Sequence, residues 1–147
     1  MVLDQLSKAA AQSLLTFGYS VSIIEGLFQL TLVYNPGAAF GLLGDLGDGI
    51  RIPFFFVVGV VAVVICFFLY RGGQTFFHRF GAVLIAGGAI GNLIDRVQLG
   101  KVVDFLDVYW KSWHWPAFNF ADIYITVGAF AYIIALTYEY RMARRNK

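Results

Sequence analysis

Charge is scarce in this chain of 147 residues. Asp, Glu, Lys and Arg together make up 14% of it, against roughly 25% in ordinary globular domains, which is too little to cover a solvated surface. Cysteine is nearly absent: Cys66 stands alone, which excludes a disulfide scaffold. With only two histidines beside it, ligands for a zinc or iron–sulfur centre are too few. The net charge of +2 offers no basic surface for nucleic acid. The chain also lacks internal repeats, low-complexity stretches and a soluble second domain. What it has in excess is apolar residues at 59%, aromatics at 18% and 16 glycines, with a mean hydropathy of +0.71. This is the composition of a small integral membrane protein.

Three stretches are candidates for crossing the bilayer, at about 52–70, 80–95 and 122–139. The first is 19 residues without a charge, about 28 Å as a helix and close to the roughly 30 Å hydrocarbon thickness. The other two are shorter, so their ends are expected to carry polar residues within the depth of the bilayer. Within the second, Gly87-Gly88-Ala89-Ile90-Gly91 suits close approach to another helix rather than lipid contact. The 71–79 link and the 139–147 tail hold Arg71, Arg79, Arg141, Arg144, Arg145 and Lys147 against one acid, Glu139. The excess of Lys and Arg in short loops places both in the cytoplasm, with 20–50 and 96–121 outside. Trp110, Trp113 and Trp115 all fall in the second outer segment, as an interfacial aromatic belt does. In the first, Phe28-Gln29-Leu30-Thr31-Leu32-Val33-Tyr34 favours a strand in a small sheet at the membrane surface.

In so apolar a chain, ionisable residues at the edges of spans are functional candidates. Four polar clusters stand at the outer ends of the proposed helices: Asn35-Pro36-Gly37-Ala38-Ala39-Phe40-Gly41, Gly91-Asn92-Leu93-Ile94-Asp95-Arg96, Val102-Val103-Asp104-Phe105, and Phe118-Asn119-Phe120-Ala121-Asp122. Asp104 is a carboxylate among apolar neighbours. Asn119 followed three residues later by Asp122 fits a capping box, and Asp95-Arg96 fits a neutralised pair; capping and pairing stand beside chemistry as readings of these residues. Asn92 and Arg96 are one helical turn apart and can face one cleft. Cys66 has no histidine at its depth, and His78 and His114 belong to opposite sides. Ser112 near His114 lacks an evident orienting partner. No phosphate-binding glycine loop is present. Carboxylate chemistry remains, or none.

Taken together these clusters resemble the lipoprotein signal peptidase (signal peptidase II) family, bacterial membrane aspartyl proteases. The resemblance runs over nearly the whole chain. It rests on Leu3-Asp4-Gln5 with Lys8, on the clusters at Asn35, Asn92 and Asn119, and on Gly100-Lys101-Val102-Val103-Asp104-Phe105, in the family's order and spacing. It implies a small all-α transmembrane bundle with a small extracytoplasmic β-sheet, as a single integral membrane peptidase domain over 1–147. It places the catalytic pair on Asp104 and Asp122. Supporting polar residues fall on Asn35, Asn92, Arg96 and Asn119, a structural or site-supporting Asp on Asp95, and the first-helix Asp on Asp4.

The implied reaction removes a signal peptide from a prolipoprotein, on the amino side of its diacylglyceryl-modified cysteine. The resemblance implies no cofactor and no metal. The expected partners are diacylglyceryl-modified prolipoproteins and membrane lipids, with no nucleic acid, and the expected state is a monomer. The expected place is the bacterial cytoplasmic (inner) membrane, multi-pass, with the site at the extracytoplasmic face and the C-terminus inside. Two carboxylates about 4 Å apart would repel by roughly 4 kcal/mol, separating their macroscopic pKa values by about 3 and leaving one shared proton. A small proton- or ion-conducting protein, or a lipid-binding one, is the competing reading.

The family has four full helices, whereas the first helix here, at 1–18, is short: three residues precede Asp4, and nine uncharged ones run from Ala9 to Phe17. The expectation is therefore three full spans plus a shortened first helix, with about 15–20 apolar residues missing upstream through a misassigned start or a shortened chain. Asp4 and Lys8 near mid-membrane would cost roughly 2.5–3.5 kcal/mol each, less if they pair at i, i+4 or face the bundle.

Overall fold

The computed structural model describes residues 1–37 and 47–145, so residues 38–41 of the Asn35 cluster lie outside it. Chain order is α1 (Val2–Leu14), β1 (Val21–Ile24), β2 (Phe28–Asn35), α2 (Asp48–Gly72), α3 (Phe76–Leu99), β3 (Val102–Trp110), β4 (Trp113–His114) and α4 (Phe120–Arg145). At 25, 24 and 26 residues, α2, α3 and α4 are about 36–39 Å long, enough to cross the bilayer. All three overrun the spans expected at 52–70, 80–95 and 122–139. Hydropathy stops at the first charge, but helical hydrogen bonding continues where that charge has a partner. At the start of α3, for instance, Arg79 Nε donates to the Gly73 carbonyl at 3.1 Å, and the Thr75 hydroxyl caps the helix by accepting from the His78 amide.

Of the three, α3 is the centre: 39% of its apolar window is buried, against 6% for α2 and 17% for α4. Small residues make this possible. A Cβ on Gly88 would overlap the Ala121 carbonyl of α4, and one on Gly91 would stand 2.5 Å from Asp4 Oδ2. Further along, a Cβ on Gly81 would stand 2.6 Å from the Gly128 carbonyl oxygen, a crossing that the glycine run at 87–91 did not announce.

The sheet is antiparallel in the order β1-β2-β3-β4. Its expected strand at 28–34 is β2. The central strand β3 was not evident in the sequence. Residues 102–107 of it are all buried, and a strand covered on both faces shows a continuous apolar run instead of alternation. Ala11, Phe105 and Leu106 form a small core where α1, the sheet and α4 meet, with Phe28, Leu30, Phe118 and Ile123 against it.

The first helix ends at Leu14, short of residue 18; Leu15 is extended, and Thr16 and Tyr19 close a turn. The polarity of α1 is inverted. Asp4, Lys8 and Ala11 are its buried residues, while Val2, Leu3 and Leu6 are exposed. Both expected ways of tolerating its charges are realised: Lys8 Nζ lies 3.1 Å from Asp4 Oδ2 at i, i+4, and both side chains face the bundle.

Candidate active site

Backbone pairing brings the polar clusters to one end of the bundle. In the β2–β3 register Asn35 lies opposite Val102 and Val33 opposite Asp104, so the end of β2 stands beside the start of β3. Leu106 and Phe118 then exchange backbone hydrogen bonds at 2.9 and 3.0 Å. That bridge delivers Asn119 to Asp104 just before α4 begins.

Asparagine amides hold the two carboxylates. Asp104 is 2% exposed. Its Oδ1 accepts from Asn119 Nδ2 at 2.6 Å and its Oδ2 from Asn35 Nδ2 at 3.1 Å. The orientation of Asn35 is set on its other side, where Oδ1 accepts from the Gly37 amide at 3.0 Å. Asp122 Oδ1 accepts from Asn92 Nδ2 at 2.8 Å. Asp122 Oδ2 accepts from the Asn119 amide at 3.2 Å, while Asn119 Oδ1 accepts from the Asp122 amide at 3.0 Å. This is the reciprocal capping box expected there. Capping occupies Oδ2 of Asp122 and leaves Oδ1 directed to Asn92, so capping and a place at the site coexist in one side chain.

Asp104 and Asp122 line one cleft of about 300 Å³ together with Asn35, Asn92, Arg96, Trp115 and Thr126. Burial pushes the Asp104 carboxyl up to about 7, and the neighbouring Asp122 carboxylate adds to the shift. The amides of Asn35 and Asn119 and the Lys8 charge oppose it. A carboxyl so poised exchanges its proton near neutral pH, which suits acid–base chemistry.

The remaining candidates stand at or behind the wall. Arg96 donates to the Gly37 carbonyl at 3.2 Å and the Asn92 carbonyl at 3.3 Å, with its guanidinium 4.8 Å from the centre of the Phe55 ring. It faces the cleft with Asn92, as their spacing suggested. The neutralised pair that Asp95-Arg96 suggested is not formed. Asp95 turns away to Lys8 at 2.9 Å, and its carboxylate also accepts from the Val103 amide and Gln5 Nε2. The reason is helical: adjacent residues point about 100° apart. Asp95 thereby anchors the strand carrying Asp104. Asp4 is fully buried, and its Oδ1 accepts from the Ala121 amide at 2.8 Å in the first turn of α4. A carboxylate there satisfies an orphan donor and complements the helix dipole. Of the eight candidates, Asn35, Asn92, Arg96, Asp104 and Asp122 line the cleft; Asn119, Asp95 and Asp4 hold it from behind.

Sequence reasoning assigned no site role to Lys8, Gln5, Trp115 or Thr126. Lys8 was visible one helical turn from Asp4 on the same face and Gln5 as its chain neighbour; nothing local marked Thr126, and Trp115 was marked only as part of an aromatic belt. His114 does have an orienting partner, Asp107 Oδ2 at 2.8 Å, but neither residue lines the cleft. Among the described residues no three of His, Cys, Asp and Glu converge as a metal ion would require.

The sequence model of the Signal peptidase (SPase) II family matches residues 1–138. The chain belongs to that family. The lipoprotein signal peptidase of Geobacter sulfurreducens is 48% identical over 130 residues, 87% of this chain and 80% of the relative. That of Cupriavidus necator is 49% identical over 147 residues, 99% of this chain and 81% of the relative. The fold agrees: a bacterial membrane enzyme solved by the in meso method at 2.3 Å resolution matches with a TM-score of 0.81 at 30% identity, over 94% of this chain and 82% of that one. A second, at 1.9 Å resolution, matches with a TM-score of 0.78 over 92% and 85%. With three helices apolar enough to span, the chain is a multi-pass membrane protein of the signal peptidase II family of proteases.

Proposed function

We propose that this chain is an aspartic endopeptidase that removes signal peptides from prolipoproteins, cleaving on the amino side of the diacylglyceryl-modified cysteine. The observation that carries the reading is the convergence of Asp104 and Asp122 on one cleft. With Asp104 titrating at about 7 beside the Asp122 carboxylate, the pair keeps one proton near neutral pH. The ionised member takes a proton from water as its oxygen attacks the scissile carbonyl carbon. The protonated member donates to the carbonyl oxygen. When the tetrahedral adduct collapses, the C–N bond breaks and the leaving amine takes a proton from the pair. Asn35, Asn92 and Asn119 hold the carboxylates in register, and Arg96 ties the chain just after β2, at the Gly37 carbonyl, to α3.

A second cleft of about 300 Å³ shares Trp115, Phe118, Asp122 and Thr126 with the first and continues along Ile123 and Val127 of α4. This supports acyl chains lying in hydrocarbon while the peptide reaches the pair. Arg71, Arg79 and Arg141, at the other end of the bundle, favour that end as cytoplasmic and the site as extracytoplasmic. The test is purified protein in proteoliposomes with a diacylglyceryl-modified prolipoprotein. Release of the signal peptide, with the new N-terminus at the lipidated cysteine, is expected. No cleavage, or cleavage of an unlipidated substrate equally well, overturns the proposal; proton or ion flux without cleavage would replace it with a conducting role.

A further inference from the structure

Lys8 is the most enclosed cation of the described residues, 2% exposed, and its surroundings exceed what neutralising Asp4 requires. Its ammonium lies 3.1 Å from Asp4 Oδ2 and 2.9 Å from Asp95 Oδ2. It spends a further proton on a neutral group, Asn92 Oδ1, at 3.0 Å. That amide is the one whose Nδ2 donates to Asp122. An amide can turn over at little steric cost, exchanging oxygen for nitrogen. Turned over here, it would set Oδ1 against the Asp122 carboxylate and aim its NH₂ hydrogens at an ammonium. A second donor to Asn92 Oδ1, Asn119 Nδ2 at 3.2 Å, is weaker, because that NH₂ also serves Asp104 at 2.6 Å and the Val103 carbonyl at 3.2 Å. Two hydrogens face three acceptors. Of the two donors to Oδ1 the charged one dominates, so Lys8 on one side and Asp122 on the other fix which way Asn92 points.

We infer that Lys8 is a positioning residue for the carboxylate pair: held between Asp4 and Asp95, it locks the Asn92 amide with Nδ2 toward Asp122. The inference rests on the peptidase reading. It makes α1 a working part of the site, although Lys8 does not line the cleft.

The test compares two variants of equal charge, Lys8→Gln/Asp95→Asn and Lys8→Met/Asp95→Asn. Each removes one positive and one negative charge from the buried group, and they differ in whether residue 8 can donate to Asn92. Cleavage of the lipidated substrate in proteoliposomes is measured as kcat and KM, with thermal unfolding in the same detergent. The Gln form is expected to keep kcat about 10–100-fold above the Met form, because a small misplacement of a reacting group costs about that much. KM should agree within about 2-fold, and the gap in kcat should persist when each form is assayed well below its own Tm, which is expected to be lower for Met because Asp4 and Asn92 Oδ1 lose a donor. In an Asn92→Ala background the advantage of Gln over Met should vanish. Equal kcat in the two forms, a Met deficit that vanishes well below Tm, an advantage that survives Asn92→Ala, or failure of either form to fold would each overturn the inference and leave Lys8 a structural residue. An inactive parent protein would instead be the failure of the peptidase reading.

Discussion

The two ends of the bundle use their charges differently. At the far end the contacts are mostly local: the Thr75 hydroxyl with His78, Arg79 with the Gly73 carbonyl, Arg71 over Phe67, Arg144 over Tyr140. The contacts there that cross between helices are few: His78 with Glu139 at 3.5 Å and with the Tyr132 ring, and Arg79 over Tyr70. At the site end nearly every polar group crosses between elements: Lys8 to Asn92 and Asp95, Asp4 to Ala121, Asn92 to Asp122, Asn119 to Asp104. Charges exposed to water and headgroups contribute little and are free to serve topology. Charges out of water must be paired and hydrogen-bonded or the fold fails. The same pairing that makes them tolerable also aims them.

The contrast is broken most strongly at the carboxylates. Asp104→Asn and Asp122→Asn should each reduce cleavage by about 10³-fold or more while the protein still inserts and folds, since each removes an ionisable group and keeps its shape. Near-normal turnover in either would refute the assigned pair. Next come the charges behind the cleft. Asp4→Ala leaves Lys8 with one carboxylate and the Ala121 amide without an acceptor, and should destabilise the fold by about 3–5 kcal/mol, read as a fall in the unfolding midpoint in detergent. Asp95→Asn should show the same pattern more mildly, losing stability more than turnover per folded molecule.

Smaller in size, but more telling about Asp104, is pH. As its carboxyl loses the proton near 7, kcat/KM should fall on the alkaline side of a bell, and a flat profile from about pH 4 to 9 would argue against a proton-sharing pair. Stability carries a second signature of the same group, at lower pH. Between its ordinary 3.8 and about 7 the folded chain binds the Asp104 proton and the unfolded chain does not, so stability falls as pH rises through that window. Asp104→Asn should therefore become more stable relative to its parent from pH 4 to 8. The gain is at most about 4 kcal/mol, less the hydrogen bond lost where the new NH₂ would face the NH₂ of either Asn35 or Asn119. The smallest effect belongs to the far end: Arg144→Gln should leave kcat unchanged and shift stability by less than about 1 kcal/mol.

The membrane class, the three spans to within a turn or two, the strand β2 and the polar residues that are candidates for the site were legible in the sequence. Those follow from composition, from apolar runs and from motifs, which are local. The glycines at 88 and 91 marked where helices meet, because only a missing Cβ admits a backbone or a carboxylate so closely. Tertiary structure alone decided that the apolar setting of Asp104 is a strand, since burial on both faces erases the period that would announce one. It decided that Asp95 turns to Lys8 and not to its neighbour Arg96. It also decided which oxygen of each carboxylate faces which amide. Partners 84 residues apart, as Lys8 and Asn92 are, or 117 apart, as Asp4 and Ala121 are, meet only when α1 packs against α3 and α4. A buried charge takes whatever partner that packing brings, because no water is there to replace it.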